Sequence, residues 1–290
     1  MGNHMTQEPK SALDYNNRAT RAIKMVLTEL GQILGEYKDG LVLVGGAVPW
    51  LLLPDAETPH VGTVDIDLAL NPKKLENEGR YADLIRLLES AGYQRNQDDQ
   101  KAFQLRKNVE LDEGDPVPVT IDLLKPNKPK TKKNRPPLIS GLRIQDVPGV
   151  EFALDDPQWL TIEGNMPDGR SNTVRLLITG FAAFLVMKGY ALEGRDKPKD
   201  AYDIYFVIKN HPQGIEALAA LCEPLMAFEE AKRGFLHIAN KFAVLEGYGA
   251  QTVRSFLSDT FTSPEEADFV QRDAYEQVQT WLKTLGLVNG

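Results

Sequence analysis

Two carboxylates alternate with apolar residues along Val64-Asp65-Ile66-Asp67-Leu68. Successive side chains of a β-strand leave opposite faces, so Asp65 and Asp67 share one face while Val64, Ile66 and Leu68 fill a core beneath. Two adjacent carboxylates repel each other unless a cation joins them. The run Val119-Thr120-Ile121-Asp122-Leu123-Leu124 repeats the pattern, with Asp122 on the face away from Val119, Ile121 and Leu123, so a third carboxylate can meet the first two. Upstream, the apolar run Leu41-Val42-Leu43-Val44 leads into the pair Gly45-Gly46. Together these features point to phosphate chemistry on divalent metal ions. Either element alone is weak, because an Asp-x-Asp strand is often a solvent face and a Gly-Gly is often a turn.

The 290 residues are 42% hydrophobic and 26% charged, enough to bury one sizeable core or two modest ones, and the length favours two domains. No run of about 18 apolar residues is present to span a bilayer, and the first residues lack the apolar stretch of a secretory signal. A cytoplasmic, membrane-free protein is expected. Cys222 is the single cysteine; it lies in an apolar helical stretch and reads as buried filler in a reducing compartment. Met1 to Met5 reads as an appended leader before a natural start at Met5, which removes His4 from any site. The net charge of -8 argues against indiscriminate nucleic-acid binding, but Lys125 to Arg135 carries six basic and no acidic residues. Its prolines exclude a regular helix. It reads either as a solvated loop or as a cationic loop that attracts phosphates of a nucleotide or an RNA backbone.

Periodicity predicts an amphipathic helix over 15–37, a strand over 41–44, a short helix over 47–53, the Asp65 strand, a helix over 75–91, strands at 103–105 and 117–124, and weaker strands within 144–154. From Val174 the pattern is helical almost throughout: 174–193, 198–209, 213–227, 230–247, 250–258 and 264–285. Phe228, Phe235 and Phe242 recur at sevenfold spacing and are expected in the core. The expected architecture is mixed α/β (α+β): a mixed-sheet catalytic domain over residues 1–163 and an all-helical domain over 173–290, joined by a linker at 164–172.

A strand, a Gly-Gly turn, a helix, Asp-x-Asp and a later lone Asp on a strand resemble the nucleotidyltransferase superfamily of polymerase-beta-like folds. The segment from Lys188 through Ala191, Arg195, Lys199, Asp200 and Asp203 resembles the Lys-x-x-Ala, Arg, Lys-Asp-x-x-Asp signature of AbiEii-type nucleotidyltransferases, known as toxins of bacterial toxin-antitoxin and phage-defence systems. The resemblance covers about Leu41 to Ile208. It departs from the family in the 18 residues between Gly46 and Asp65, a long gap, and in Val61, where many relatives place an arginine before Thr63. His60 is nearby and is a candidate for the missing positive group, although a lone loop histidine is more often a surface residue.

The resemblance implies Mg2+, with Mn2+ as the alternative ion, held by Asp65, Asp67 and Asp122, and a nucleoside triphosphate as substrate. Two ions about 3.5 to 4 Å apart clamp the attacking and leaving oxygens of an in-line displacement. Asp122 is also a candidate acceptor of the hydroxyl proton. Gly45, Gly46 and Thr63 would border the phosphates, and the helix after the glycines would offer N–H groups to an anion. Lys188 is expected to be catalytic and, with Arg195, to neutralise phosphates, meeting its anionic partner only in the complex. Lys199 and Asp203 are candidates around them, Asp203 holding Lys188 or Arg195 in place; the competing reading puts Asp200 and Asp203 at a helix start for the macrodipole. The implied acceptor is RNA, a tRNA 3′ end first, with a protein antitoxin as a further partner. The alternatives are a small-molecule nucleotidyltransferase and a non-catalytic nucleotide-binding regulator.

Overall fold

The computed structural model describes residues 9–15, 17–75, 78–96, 104–127 and 144–288. The leader reading at Met1 to Met5 and the basic stretch from Lys128 to Arg135 lie outside the described residues. Eight strands form one mixed sheet: β1 (Leu41–Val44), β2 (Asp65–Leu70), β3 (Gln94–Arg95), β4 (Gln104–Val109), β5 (Val117–Pro126), β6 (Gln145–Val147), β7 (Pro157–Asn165) and β8 (Ser171–Thr179). The order across the sheet is β3-β4-β5-β2-β1-β8-β7, and β6 pairs with the far end of β5. β2 runs parallel to β5 and antiparallel to β1, while β1 runs parallel to β8. The protein is therefore mixed α/β.

Helix α1 (Asn17–Ile33) buries Ala22, Ile23, Val26, Leu27 and Leu30, one apolar stripe at helical spacing, against the sheet at β5, β7 and β8. It stops short of the expected residue 37, where Gly35 takes φ 43 and a 3-10 turn follows. After β1 comes the short α2 (Ala47–Leu52), and after β2 come α3 (Pro72–Leu75) and α4 (Glu78–Ser90). The 144–154 stretch, expected as strands, divides into β6 and a helix, α5 (Val150–Asp155), which starts at Gly149 with φ 82 and packs on β1, β2, β5 and β8. Lys125 and Pro126 belong to β5, in register with Asp146 and Val147, so the strand runs on into what the sequence suggests is loop.

The expected linker is a correction. Residues 157–165 and 171–179 form a nine-residue by nine-residue hairpin with Asn165 opposite Ser171, and β8 is an interior strand of the sheet. The turn chemistry around Gly169 (φ 84), with Met166 and Arg170 joined by a backbone hydrogen bond, closes a hairpin as readily as it starts a linker. The sheet thus extends to Thr179, beyond the expected boundary at 163, and residues 174–179 are strand rather than helix.

From Phe181 onward the described α-helical and strand elements are all helices: α6 (Phe181–Gly194), α7 (Pro198–Asn210), α8 (Gly214–Cys222), α9 (Glu229–Lys241), α10 (Tyr248–Phe256) and α11 (Pro264–Thr284). Phe235, Phe242 and Cys222 are fully buried, as their spacing and setting suggest, whereas Phe228 is 54% exposed. No described helix is long and apolar enough to cross a membrane.

Candidate active site

The register of the sheet brings the carboxylates together. Val44 pairs with Asp67, and Asp67 pairs with Asp122 across the parallel β2–β5 ladder, so these two carboxylates are direct neighbours on one face. Asp65 stands two residues away on the same face and accepts a hydrogen bond from the Thr63 hydroxyl (2.9 Å). Gly45 follows β1 with φ 72, and a Cβ there would lie 1.8 Å from Asp67 Oδ2. A Cβ at Gly46 would lie 3.0 Å from the Thr63 hydroxyl and 3.1 Å from Lys199 Nζ. Gly45 is thus demanded by its positive φ and by the carboxylate pressed against it, while Gly46 lets the Thr63 hydroxyl and the Lys199 ammonium approach closely. The anticipated helix start offers less: α2 is six residues long, the Val48 N–H is taken by Gly45 O (3.2 Å), and Pro49 has none, so an anion would draw on the Gly46 and Ala47 N–H groups.

α6 and α7 supply the opposing charges. Lys188, in the middle of α6, donates to Asp200 Oδ1 at 2.6 Å and lies 2.7 Å from Asp203 Oδ2, with its side chain 7% exposed. Lys199 donates to Asp203 Oδ1 (2.7 Å) one turn along α7, and its Nζ lies 3.5 Å from Gly46 O. Arg195, which caps α6, forks onto Asp200 through Nε (2.8 Å) and Nη2 (3.0 Å). Lys197, just before α7, reaches within 3.7 Å of Asp65 Oδ2. These groups and the three strand carboxylates line one cleft of about 570 Å³.

His60 completes the network from the other side. Its Nδ1 accepts the Gly62 N–H (3.1 Å), so the proton resides on Nε2, which donates to Asp203 Oδ1 (2.9 Å). Both ring nitrogens are satisfied in the neutral form, and the side chain is fully buried. Burial, reinforced by Lys199, lowers its pKa to about 4. His60 is therefore neither the replacement positive group nor a surface residue: it is a neutral brace between the loop before β2 and Asp203.

The electrostatics divide the carboxylates into two kinds. Burial would raise Asp203 and Asp200, but Lys188 and its cationic neighbours outweigh it, taking Asp203 far below the carboxylate range and Asp200 to about 2. Burial likewise opposes Lys188, yet Asp200 and Asp203 hold it above the usual lysine value. Asp65 is lowered because Lys197 and the Thr63 hydroxyl overcome its burial. Asp67 goes the other way: burial, then the charges of Asp65 and Asp122, push it up to about 8.

Lys188 is a correction to expectation, since its ammonium already has two carboxylate partners in the protein. Asp203 does hold Lys188, and Asp200 serves Lys188 and Arg195 rather than a helix dipole alone. The more open cation is Arg195, whose side chain is 54% exposed. Lys197 is missed by motif reasoning because it falls between the signature positions, and Tyr15, which also lines the cleft, carries no local signal at all.

Among the described residues, no group of three or more His, Cys, Asp or Glu side chains is arranged to hold a metal ion as it stands. The chemistry of the corner nonetheless suits one: hard oxygen donors, two of them in register across neighbouring strands and a third on the same face. No protein-family model matches the chain, and no curated protein gives a match.

Proposed function

We propose that the protein is a metal-dependent nucleotidyltransferase that moves a nucleoside monophosphate from a nucleoside triphosphate to a hydroxyl acceptor, forming a phosphodiester as the α–β phosphoanhydride breaks and pyrophosphate leaves. The observation that supports it best is the pairing of Asp67 with Asp122 across parallel strands, with Asp65 on the same face, opposite the cations of α6 and α7 in one cleft. Asp65, Asp67 and Asp122 would hold Mg2+, or Mn2+. When bound, the ion offsets triphosphate charge and makes the acceptor hydroxyl more acidic. Asp122 takes the hydroxyl proton. Arg195 and Lys197 meet the phosphates, while Lys188, Lys199 and His60 keep Asp200 and Asp203 fixed behind them. As a ligand Asp67 would have to be ionised, so ion binding would be coupled to pH.

The resemblance to AbiEii-type nucleotidyltransferases makes RNA the acceptor of choice, a tRNA 3′ end first, and arrested translation the outcome. Incubation with each α-labelled triphosphate, Mg2+ and total RNA tests this directly. Wild-type protein should label RNA, and Asp67→Asn should reduce labelling well beyond the roughly 10- to 100-fold typical of outer-shell changes at metal sites. An Asp67→Asn protein with wild-type turnover would sink the reading, and label entering only small hydroxyl compounds would move the acceptor to the antibiotic-modifying type.

A further inference from the structure

The described segment before α1 reaches the cleft through Tyr15. Residues 12–14 form a single 3-10 turn, fastened by Asp14 Oδ2, which accepts the Lys10 and Ser11 N–H groups (2.7 and 2.9 Å). Ala12 is buried, and the turn packs against residues 258–260 beyond α10. The next residue, Tyr15, is 8% exposed and lines the cleft beside the glycine turn. Its ring is held on two sides: Phe256 packs edge-on at 5.8 Å, and Lys199 Nζ lies 5.4 Å from its centroid.

The hydroxyl is the anomaly. It is buried and has no hydrogen-bond partner among the described residues, whereas buried phenols ordinarily find one. Burial first, then Asp203, Asp65 and Asp200, hold the phenol protonated well beyond its ordinary range. It is therefore a donor without an acceptor, on a side chain that lines the cleft together with Gly46 and Lys199. An acceptor-only anion entering there would satisfy it.

We infer that Tyr15 is a substrate-binding residue whose hydroxyl donates a hydrogen bond to a phosphate oxygen of the bound nucleoside triphosphate. This rests on the nucleotidyltransferase reading and adds to it an N-terminal strap that reaches the phosphates from outside the sheet and the helices. Tyr15→Phe isolates the contact, because it keeps the ring, its packing on Phe256 and its place under Lys199, and removes only the oxygen.

The test measures calorimetric affinity for each of the four nucleoside triphosphates and for inorganic tripolyphosphate, with Mg2+, together with thermal unfolding of the free protein. Loss of a hydrogen bond to a charged group should weaken triphosphate and tripolyphosphate binding alike by about ten- to a hundredfold. The free variant should melt at the wild-type temperature or above it, since an unsatisfied buried group has been removed. Unchanged affinities, or a clearly lowered melting temperature showing that the hydroxyl is engaged within the protein, would overturn the inference and leave the nucleotide reading standing. Weakening confined to nucleotides, with tripolyphosphate unaffected, would shift the contact to the nucleoside and overturn the phosphate assignment. Wild-type protein that binds no triphosphate would overturn both readings.

Discussion

Two titratable side chains a few residues apart pull stability in opposite directions with pH. His60 has its folded pKa depressed to about 4 from the ordinary 6.5. The unfolded chain therefore binds the extra proton first, so the His60 contribution is complete above pH 6.5 and is lost as pH falls through about 4. His60→Gln, which retains an N–H for Asp203, should remove that loss, flattening stability between these limits by at most about 1.4 kcal/mol per pH unit. Chemical denaturation at several pH values reads it, and parallel curves for the two proteins would show that His60 takes up its proton as readily in the folded protein as in the unfolded chain. Asp67 has the reverse sign. Its folded pKa is raised from 3.8 to about 8, so the stability it favours is complete below pH 3.8 and is lost as pH rises through about 8. Metal-free Asp67→Asn should accordingly gain most over wild type at pH 8 and least at pH 4, with a rise in melting temperature of about 2–4 °C for each kcal/mol recovered. A residue whose neutralisation stabilises the protein while ending its activity is present for function. The sequence makes Asp67 legible because alternation is a local pattern. His60 is not legible, because its partner lies 143 residues away and only the fold brings them together.

The helices show what propensity leaves unsaid. Gly189 sits inside α6, where alanine would ordinarily favour the helix by about 1 kcal/mol. A Cβ there would stand 1.9 Å from Gly234 O of α9, and a Cβ at Gly234 would stand 2.7 Å from Val186 O. The two helices touch backbone to backbone, which sets the position of Lys188, the residue before Gly189. Gly189→Ala should therefore destabilise the protein by about 1–3 kcal/mol, the usual cost of overpacking. Gly194→Ala, with nothing near its Cβ at the end of the same helix, should be neutral or stabilising. Similar melting temperatures for the two variants would mean that the α6–α9 contact yields easily. Most helices are legible from their periodicity, α7 and α11 to within a residue or two. The β7–β8 hairpin is not, because Val174-Arg175-Leu176-Leu177-Ile178 is short and apolar enough to suit either structure, and its strand identity comes from pairing with β1 and β7.

At the scale of the whole molecule, the sheet contributes negative charge to the cleft and the following helices contribute positive charge, within a chain of net charge -8. Under the proposed reading an RNA acceptor would have to approach that chain against its overall charge, and the sequence holds one counterweight, the basic stretch from Lys125 to Arg135. Lys125 is engaged with Asp146 at 2.7 Å; the other basic residues of the stretch are Lys128, Lys130, Lys132, Lys133 and Arg135. Each phosphate contact by such a residue releases condensed counterions, with a slope of about 0.7 per charge in log affinity against log salt for a single strand. Replacing Lys128, Lys130, Lys132 and Lys133 by glutamine should therefore flatten the salt dependence of RNA binding by up to about 3 units. Triphosphate affinity should barely change, because the cations beside the carboxylates are left intact. A small hydroxyl acceptor presents no phosphate track, and with such an acceptor the quadruple variant would keep full transfer at every salt concentration. Filter binding of RNA across a salt series, run beside calorimetry of the triphosphate, separates the two cases, and equal slopes in wild type and variant would remove this stretch from the acceptor site.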